Sequence, residues 1–458
     1  MHEKHQPISR ASLLTAALSL FALAILTMSP GAEAIPSFTR QTGAACNMCH
    51  TQSFGPNLTP FGRKFKLDGY TMGMDGSEGP FTKGIPPLSG MLMGSLTHTD
   101  QAQDRQPTTG PSSPAFNSND NLAMDQASLF YGGRIYGPIG AFAQFTYDGV
   151  GNAVAVDNID LRFARTDDLW GHSLSYGLSL NNSPTVQDLW NTTPAWDFPF
   201  ASSPIAPAPG AAPLIAEGVA QQVGGGSLYA MLDNLLYLEA GAYGDFSVGA
   251  QKNMGVWSSD NPLINGGAPY WRVALQHDWN GQYLALGTFG LQANLYPSRD
   301  MKSSGTNQYT DLGADLTYQY LGSMEHIFEF RGSYIREHQQ LDASRALGLS
   351  SQSGVMLNTL NVNGSYTFQQ TYSANLGFVN VTGTNDPLLY TDYTSARPNS
   401  QWFVTEFDYV PFGKSDSPGG SWLNLRFALQ YVAYTKFDGS TKNTGDNNTL
   451  FLSGWLAF

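Results

Sequence analysis

Cysteine and charge are both scarce in this sequence. The 458 residues contain two cysteines, too few for a scaffold held by several disulfides. Only 13% of the residues are charged and the formal net charge is −13, which argues against a nucleic-acid partner. Beyond residue 34 the chain also lacks any run approaching the roughly 18 consecutive apolar residues of a membrane-spanning helix. A disulfide-rich scaffold, a nucleic-acid-binding protein and a helical membrane protein are therefore disfavoured.

The first 34 residues have the pattern of a secretory signal peptide. Lys4 and Arg10 give a basic start, residues 13–28 are mostly apolar, and residues 32–34 (AEA) match an A-x-A cleavage site. A retained membrane anchor is the alternative, but the apolar run is short and a cleavage site follows it. We therefore expect an exported protein from which residues 1–34 are removed.

The two cysteines belong to the pentapeptide Cys46-Asn47-Met48-Cys49-His50. The spacing C-x-x-C-H is the attachment signature of c-type haem, in which both thiolates form thioethers with the haem and the adjacent histidine binds the iron. A thioredoxin-like disulfide would need a βαβ context and leaves the histidine unexplained, and a zinc site would need further cysteines or histidines nearby. The motif predicts one covalent haem c, bound by Cys46, Cys49 and His50.

The residue on the other side of the haem iron is less constrained by the sequence. Met72 is the first choice, because it follows the motif closely and a thioether opposite histidine raises the reduction potential. Met91 and Met93 are the alternatives, His98 is the nearest downstream histidine, and a five-coordinate iron is also open. Each methionine also has a structural interpretation, since methionine commonly fills irregular gaps in a core.

Residues 35–85 form the predicted haem segment. Thr59 is placed as an N-cap with Pro60 at the first helical position, so we expect a helix from there to about Leu67. Phe61 and Phe65 would share one face of this helix, suited to packing on a haem edge. Its other faces carry three cations: Arg63, Lys64 and Lys66. These cations either pair with haem propionates or lie in solvent or against acidic groups elsewhere in the chain.

Residues 86–458 alternate with a period of two, which is typical of β-strands. In residues 268–279, a polar set that includes Arg272 and Gln276 alternates with an apolar set that includes Trp271, Val273 and Leu275. Such a strand has lipid on one side and water on the other. Sixteen segments of this kind are predicted, at 86–99, 122–136, 138–148, 154–166, 172–183, 217–230, 234–245, 268–279, 281–294, 308–321, 324–336, 355–369, 371–382, 401–411, 421–435 and 448–458.

The connections between these segments are mostly long after odd-numbered strands and mostly tight after even-numbered ones. Outer-membrane β-barrels have this pattern, with long loops outside and short turns in the periplasm. The chain would then start and end in the periplasm, where haem is attached to exported cytochromes. The outward face of the last segment, which ends in Phe458, also resembles the assembly signal of such barrels. We predict an all-β fold, a transmembrane antiparallel barrel of about sixteen strands in the outer membrane.

The long connection 184–216 stands apart from the others. It contains Trp190, Trp196, Phe198 and Phe200, and is too aromatic for a disordered loop. It either folds into the lumen as a constriction or forms a lid with neighbouring loops, and both are favoured over a plain surface loop.

Residues 36–71, with PSFTRQTGAACNMCH and FGPNLTPFGRKFKLDGYT, resemble the haem segment of fused outer-membrane cytochrome–porins of the iron-oxidase type. The best-known members of that family are thought to oxidise ferrous iron at the cell surface. The resemblance implies covalent haem at Cys46 and Cys49 with His50 as proximal ligand. It fixes neither the sixth ligand nor the electron donor.

Two functions are compatible with these observations. The first is electron transfer between an extracellular reductant, with Fe(II) among the candidates, and a soluble periplasmic carrier such as a cytochrome. Whether that makes the protein an Fe(II)-oxidising enzyme or an electron carrier is open, as is the direction of electron flow. The alternative is a transport porin whose haem segment acts as a plug or redox sensor. A soluble periplasmic cytochrome with an unrelated β-domain is disfavoured, because the alternation of the strands is that of a barrel in contact with lipid.

Overall fold

The structure, a computed structural model, describes residues 35–73, 78–81, 84–103 and 116–458. The predicted signal peptide lies outside this range. The described part starts with three short helices, α1 (Pro36–Thr42), α2 (Cys46–Cys49) and α3 (Pro60–Leu67). Two further helices, α4 (Val248–Asn253) and α5 (Asp342–Ala346), lie in connections between strands. No helix in the described ranges has the length and apolarity needed to cross a membrane.

Sixteen long strands form one closed antiparallel sheet. Their bounds are β1 Leu88–Thr99, β2 Asp120–Tyr136, β3 Ile139–Asp148, β4 Ala153–Leu169, β5 His172–Asn181, β6 Val223–Leu232, β7 Leu236–Asp245, β8 Ala268–Trp279, β9 Gln282–Tyr296, β10 Asn307–Tyr320, β11 His326–Gln340, β12 Gly354–Phe368, β13 Tyr372–Gly383, β14 Ser400–Tyr409, β15 Asn424–Lys436 and β16 Thr449–Ala457. A two-residue strand, Leu263–Ile264, pairs with the end of β9. Each of the sixteen predicted segments corresponds to one of these strands.

The barrel closes between its first and last strands. β1 pairs with β2 on one side and with β16 on the other, in a register that places Leu92 opposite Leu456 and His98 opposite Leu450. The pairing extends to Phe458, whose backbone exchanges two hydrogen bonds with Gly90. The Phe458 ring packs over Gly90, where a Cβ would lie 2.5 Å from it and would displace the ring. Closure removes the open sheet edges that lipid cannot solvate.

Polar and apolar side chains point to the two sides of the barrel wall as the alternation predicted. In β8, Arg272 is 0% exposed and points into the barrel, whereas Leu275 on the other face is 51% exposed. Aromatic side chains lie on the outer face of β10–β14 near the short turns, with Tyr372 stacked on Tyr409 at 5.2 Å. An apolar outer surface bordered by aromatic residues is that of an outer-membrane barrel, so the predicted fold and location are confirmed.

The connections also follow the predicted alternation. Tight turns join β2 to β3, β4 to β5, β6 to β7, β8 to β9, β10 to β11 and β12 to β13. The connection between β14 and β15, residues 410–423, is the long exception at this end, and it contacts the helices: the backbone N–H of Asn47 donates to the carbonyl of Gly413 (3.0 Å). The end of the barrel with the short turns is by this pattern the periplasmic end.

Residues 182–222, the connection between β5 and β6, fold into the lumen. We call this segment the inner loop. Trp190 is 1% exposed, its indole N–H donates to Gln276 (3.2 Å), and its ring lies edge-on to Tyr237. Asp188 of the inner loop pairs with Arg272 of the barrel wall (3.3 Å). The constriction that the aromatic residues suggested is therefore present, and together with the three helices it fills much of the lumen.

Candidate haem site

The cysteine motif lies on α2 at the periplasmic end of the lumen. Side chains of the barrel hold its backbone: the amide of Gln370 donates to the carbonyls of Asn47 (2.9 Å) and His50 (3.1 Å). The amide of Asn424 contacts the sulfur of Cys46 (3.4 Å) and donates to the carbonyl of Ser53 (2.7 Å). Because both anchors come from the barrel wall, the position of the motif is fixed relative to the membrane.

Helix α3 packs directly on the motif. The Thr59 hydroxyl accepts a hydrogen bond from the N–H of Gly62 (3.2 Å), and Pro60 occupies the first turn, so the predicted helix start is confirmed. Gly62 allows the close approach, because a Cβ there would lie 2.3 Å from the carbonyl oxygen of Cys49. The chain turns away after Gly69, whose φ of +66° suits glycine.

The segment after the motif is held by another barrel residue. Glu329 of β11, buried in the lumen, accepts hydrogen bonds from Thr51 (2.6 Å), Asn57 (3.1 Å) and Gln319 (2.7 Å). Arg331 lies 3.4 Å from the same carboxylate. A buried carboxylate with this many donors is well compensated, so it ties the segment after the motif to the wall.

Next to the motif is a cavity of about 450 Å³. This volume falls in the range of about 300–1,000 Å³ that is typical of ligand and cofactor sites. Cys46, Cys49 and His50 all border it. Most of the remaining wall near the motif is apolar and comes from the helices, the barrel and its closing strand: Phe54, Leu58, Phe65, Met91, Phe130, Phe142 and Trp455.

His50 is suited to binding a metal through one ring nitrogen. Burial lowers its pKa to about 4, although the carbonyls of Gly55 and Asn57 act in the opposite direction. The ring is therefore neutral at pH 7, the form in which imidazole binds iron. Those carbonyls make no well-directed hydrogen bond to the ring, and Nδ1 is buried without a partner.

The predicted site residues are not all brought together. Met91, on β1, is buried and borders the cavity with the motif. Met72 packs at the edge of the hydrophobic cluster around Phe65 but does not border the cavity. Met93 also lies outside the cavity wall, and its sulfur accepts a contact from Gln126 (3.7 Å). Of the three methionines, only Met91 shares the cavity with His50.

The cations of α3 have three different environments. Arg63 is buried, donates to Gln319 (2.9 Å) and lies 3.5 Å from the centre of the Tyr283 ring. Lys64 pairs with Asp68 and is partly exposed. Lys66 borders the cavity and donates to the inner loop. Phe65 borders the cavity as well, whereas Phe61 does not.

Lys66 and Arg162 join the helices to the inner loop. The ammonium of Lys66 donates to the carbonyls of Val186 (2.9 Å) and Asp188 (2.6 Å) and to the side chain of Asn191 (2.8 Å). Burial, assisted by the neighbouring guanidinium of Arg162, lowers the pKa of Lys66 to about 7. Arg162 and the other lumen anchors, Glu329, Gln370 and Asn424, were missed by sequence reasoning. For Arg162, Glu329 and Asn424 the only signal was a polar residue on the inward face of a strand, and Gln370 lies in the turn between β12 and β13.

Comparison with known proteins finds solved structures that are similar at low identity, but no match by sequence. No protein-family model matches the chain, and no curated protein matches it in sequence. OprB of Pseudomonas putida is similar in structure at 11% identity and a TM-score of 0.45, over 81% of this chain and 94% of that one. The outer-membrane channel DcaP of Acinetobacter baumannii (11%, TM-score 0.43, 81% and 96%) and an anion-selective porin from Comamonas acidovorans (11%, TM-score 0.42, 81% and 98%) are similar to the same extent. At these values the likenesses carry no inference about ligands or activity, and the barrel rests on its own strand pairing.

Proposed function

We propose that this protein carries electrons across the outer membrane through one haem c, attached to Cys46 and Cys49 with His50 as an iron ligand. The observation that carries the proposal is a cavity of about 450 Å³ beside a C-x-x-C-H motif, in a lumen that helices and the inner loop otherwise fill. When bound, haem c supplies one-electron transfer.

The residues around the cavity fit this cofactor. The two cysteines border it on the same side as His50, whose neutral ring is the form of imidazole that binds iron. The wall near the motif is mostly apolar, and the polarity of the surroundings is one of the features by which a protein sets the reduction potential of a haem. Lys66 is the one lysine or arginine among the described residues that line the cavity, but its three ammonium hydrogens already donate to the inner loop, so it is not assigned to a haem carboxylate.

Met91 is the better candidate for the opposite ligand. Met91 borders the cavity. Met72, the first choice from the sequence, packs against the hydrophobic cluster around Phe65 and does not border the cavity. A methionine opposite histidine favours the reduced iron and suits a carrier that accepts electrons from a mild donor.

In this proposal the donor enters from outside and a soluble carrier receives electrons in the periplasm. Fe(II) is among the candidate donors, in which case the protein is an iron-oxidising enzyme. Met48, between the two cysteines, is 51% exposed at the periplasmic end. This exposure gives a periplasmic carrier, such as a cytochrome, access close to the cofactor.

A transport porin with a haem-bearing plug is the second candidate. The sixteen-stranded barrel favours it, since barrels of this size usually enclose an aqueous channel. The filled lumen favours electron transfer instead, because solutes would have to displace the inner loop.

Reconstitution in liposomes separates the two candidates. The purified protein is inserted into vesicles that contain a redox dye, and an impermeant external donor such as chelated Fe(II) is added. Electron transfer predicts that the haem absorption band and then the dye are reduced, with little sugar permeation. Free sugar permeation without haem reduction would refute the proposal and support the porin.

A further inference from the structure

The outer surface of the barrel carries a basic patch, formed by Arg336 and His338 of β11. Both residues are exposed and point away from the lumen, whereas Glu337 between them is buried and faces it. The connection that follows β11, residues 341–353, comes after an odd-numbered strand and so lies on the outer side of the membrane. The basic patch is therefore on the lipid-facing surface, toward the outer leaflet.

The position of the basic patch along β11 places it at the level of the lipid headgroups. Phe328, on the same face of the strand, belongs to the aromatic residues near the short turns, at the periplasmic edge of the apolar surface. With about 3.4 Å per residue and a strand tilt of about 40°, Arg336 lies roughly 21 Å and His338 roughly 26 Å further toward the outside than Phe328. The apolar band of such a barrel is about 25 Å tall, so both side chains lie at its outer edge.

No acidic side chain balances the charge of the basic patch. All of β10, β11 and β12 belongs to the described residues, and no outward position of these three strands is Asp or Glu. Among the residues that the structure describes, Arg336 and His338 form no ion pair and no side-chain hydrogen bond. The guanidinium is therefore available to the anionic headgroups that surround it, which attract basic side chains at a membrane surface.

The neighbouring strand adds hydrogen-bond donors beside the guanidinium. Asn358 of β12 lies opposite Arg336 in the sheet register, a position that brings two Cβ atoms within about 5.5 Å of each other. The hydroxyl of Tyr334 donates to Oδ1 of Asn358 (3.0 Å) and so fixes the orientation of the amide, whose N–H groups have no acceptor in the described part of the chain. A guanidinium and an oriented amide side by side suit a phosphate group, which accepts several charge-assisted hydrogen bonds at once.

One other arginine of the described strands points outward, and its surroundings differ. Arg165 lies near the periplasmic end of β4 and shares its face with Asp167, two residues further along the strand. The Asp167 carboxylate accepts a hydrogen bond from Tyr176 (2.9 Å), which stands opposite Arg165. An acidic neighbour thus offsets the charge of Arg165, whereas the charge of Arg336 has no such neighbour on its surface.

We propose that Arg336, His338 and Asn358 form a binding site for a phosphate group of an outer-leaflet lipid. The guanidinium binds the phosphate through paired hydrogen bonds, and the histidine and the amide supply further donors. A lipid suits the site better than free phosphate, because Leu312, opposite Arg336 on β10, is 53% exposed and offers an apolar surface to the acyl chains. The inference is independent of the proposed function, since no part of this surface borders the cavity.

Native mass spectrometry of the full protein in detergent micelles tests the site. The probes are diphosphoryl lipid A, the same glycolipid without its phosphate groups, and inorganic phosphate. In the double variant Arg336→Gln/His338→Gln we expect the dissociation constant of diphosphoryl lipid A to rise about tenfold, because hydrogen bonds to a charged group are lost. The dephosphorylated lipid should bind the unmodified protein and the variant equally weakly, and inorganic phosphate should not displace diphosphoryl lipid A.

Arg165→Gln is the matched control, since it removes the other outward-facing arginine and should leave the dissociation constant unchanged. Arg336→Lys keeps the positive charge and should retain part of the affinity. The site is overturned if the double variant binds diphosphoryl lipid A as the unmodified protein does, or if Arg165→Gln weakens binding equally. Displacement by inorganic phosphate would overturn the assignment to a lipid. A lower oligomeric mass of the double variant with unchanged lipid binding would assign the basic patch to a contact between copies of the chain instead.

Discussion

Arg162 is the residue whose loss should most loosen the filling of the lumen. It lies on β4, is 0% exposed, and donates to Asp160 (2.7 Å). It also donates to the carbonyl of Lys66 in α3 (3.0 Å) and to that of Gln187 in the inner loop (2.5 Å). One guanidinium thus joins the wall, the helices and the inner loop. The perturbation is Arg162→Met, which keeps similar bulk and removes every one of these bonds.

The expected loss follows from what the substitution leaves behind. Asp160 stays fully buried and loses its cation, and breaking a buried pair from one side usually costs about 3–5 kcal/mol. Asp160 still accepts hydrogen bonds from Tyr70 (2.6 Å) and Ser179 (2.8 Å), so we expect a value near the lower limit, about 3 kcal/mol. Changing Asp160 to Asn as well removes the stranded charge, and the double variant should recover about 1–2 kcal/mol of that loss.

The assay is equilibrium unfolding by urea in detergent micelles, together with single-channel conductance in planar bilayers. Arg162→Met should lower the free energy of unfolding and raise the conductance, because the inner loop and α3 lose their common anchor. Arg165→Met is the matched control, since Arg165 lies on the same strand and is exposed. If the two variants lose equal stability and the conductance stays at its original value, the reasoning about this anchor is wrong.

Three further predictions concern the motif and its surroundings. Cys46→Ser or Cys49→Ser should abolish covalent haem, measured by the haem stain of a denaturing gel; a retained stain would refute the attachment site. Met91→Ala should change the absorption spectrum of the oxidised protein and lower its reduction potential, whereas Met72→Ala should not; the opposite result would return Met72 as the ligand. Burial lowers the pKa of Lys66 from 10.5 to about 7, so the unfolded chain holds one more proton between these values and stability should rise with pH from about 7 to about 10.5. Urea midpoints measured across this range should lose that rise in Lys66→Met, and an unchanged slope would contradict the shifted pKa.

The sequence was sufficient for the barrel because each strand has to face lipid on one side. The alternation of Arg272 and Leu275 is a local property, and the structure places these residues inside and outside as expected. The start of α3 was equally local, since Thr59 caps its own helix. Local signals of this kind are read directly from neighbouring residues.

The contacts that hold the site are of a different kind. Thr51 and Glu329 are 278 residues apart in sequence, and nothing near either residue indicates that they meet. Met72 was preferred to Met91 because it is closer to the motif along the chain, whereas a strand of the wall brings Met91 to the cavity that the motif borders. The alternation of side chains along β1 could have indicated that Met91 faces the lumen. It could not have indicated that α2 lies next to Met91 across the cavity.

The closure of β1 against β16 imposes an order of events on biogenesis. The ring cannot form until the strand nearest the C-terminus has been inserted, yet the helices that it encloses lie before every strand in the chain. Cys46, 2% exposed in the finished molecule, would then be out of reach of any attaching enzyme. If haem is attached there as proposed, the attachment has to precede closure of the barrel. The time between export and closure would then limit how much of the protein acquires its cofactor.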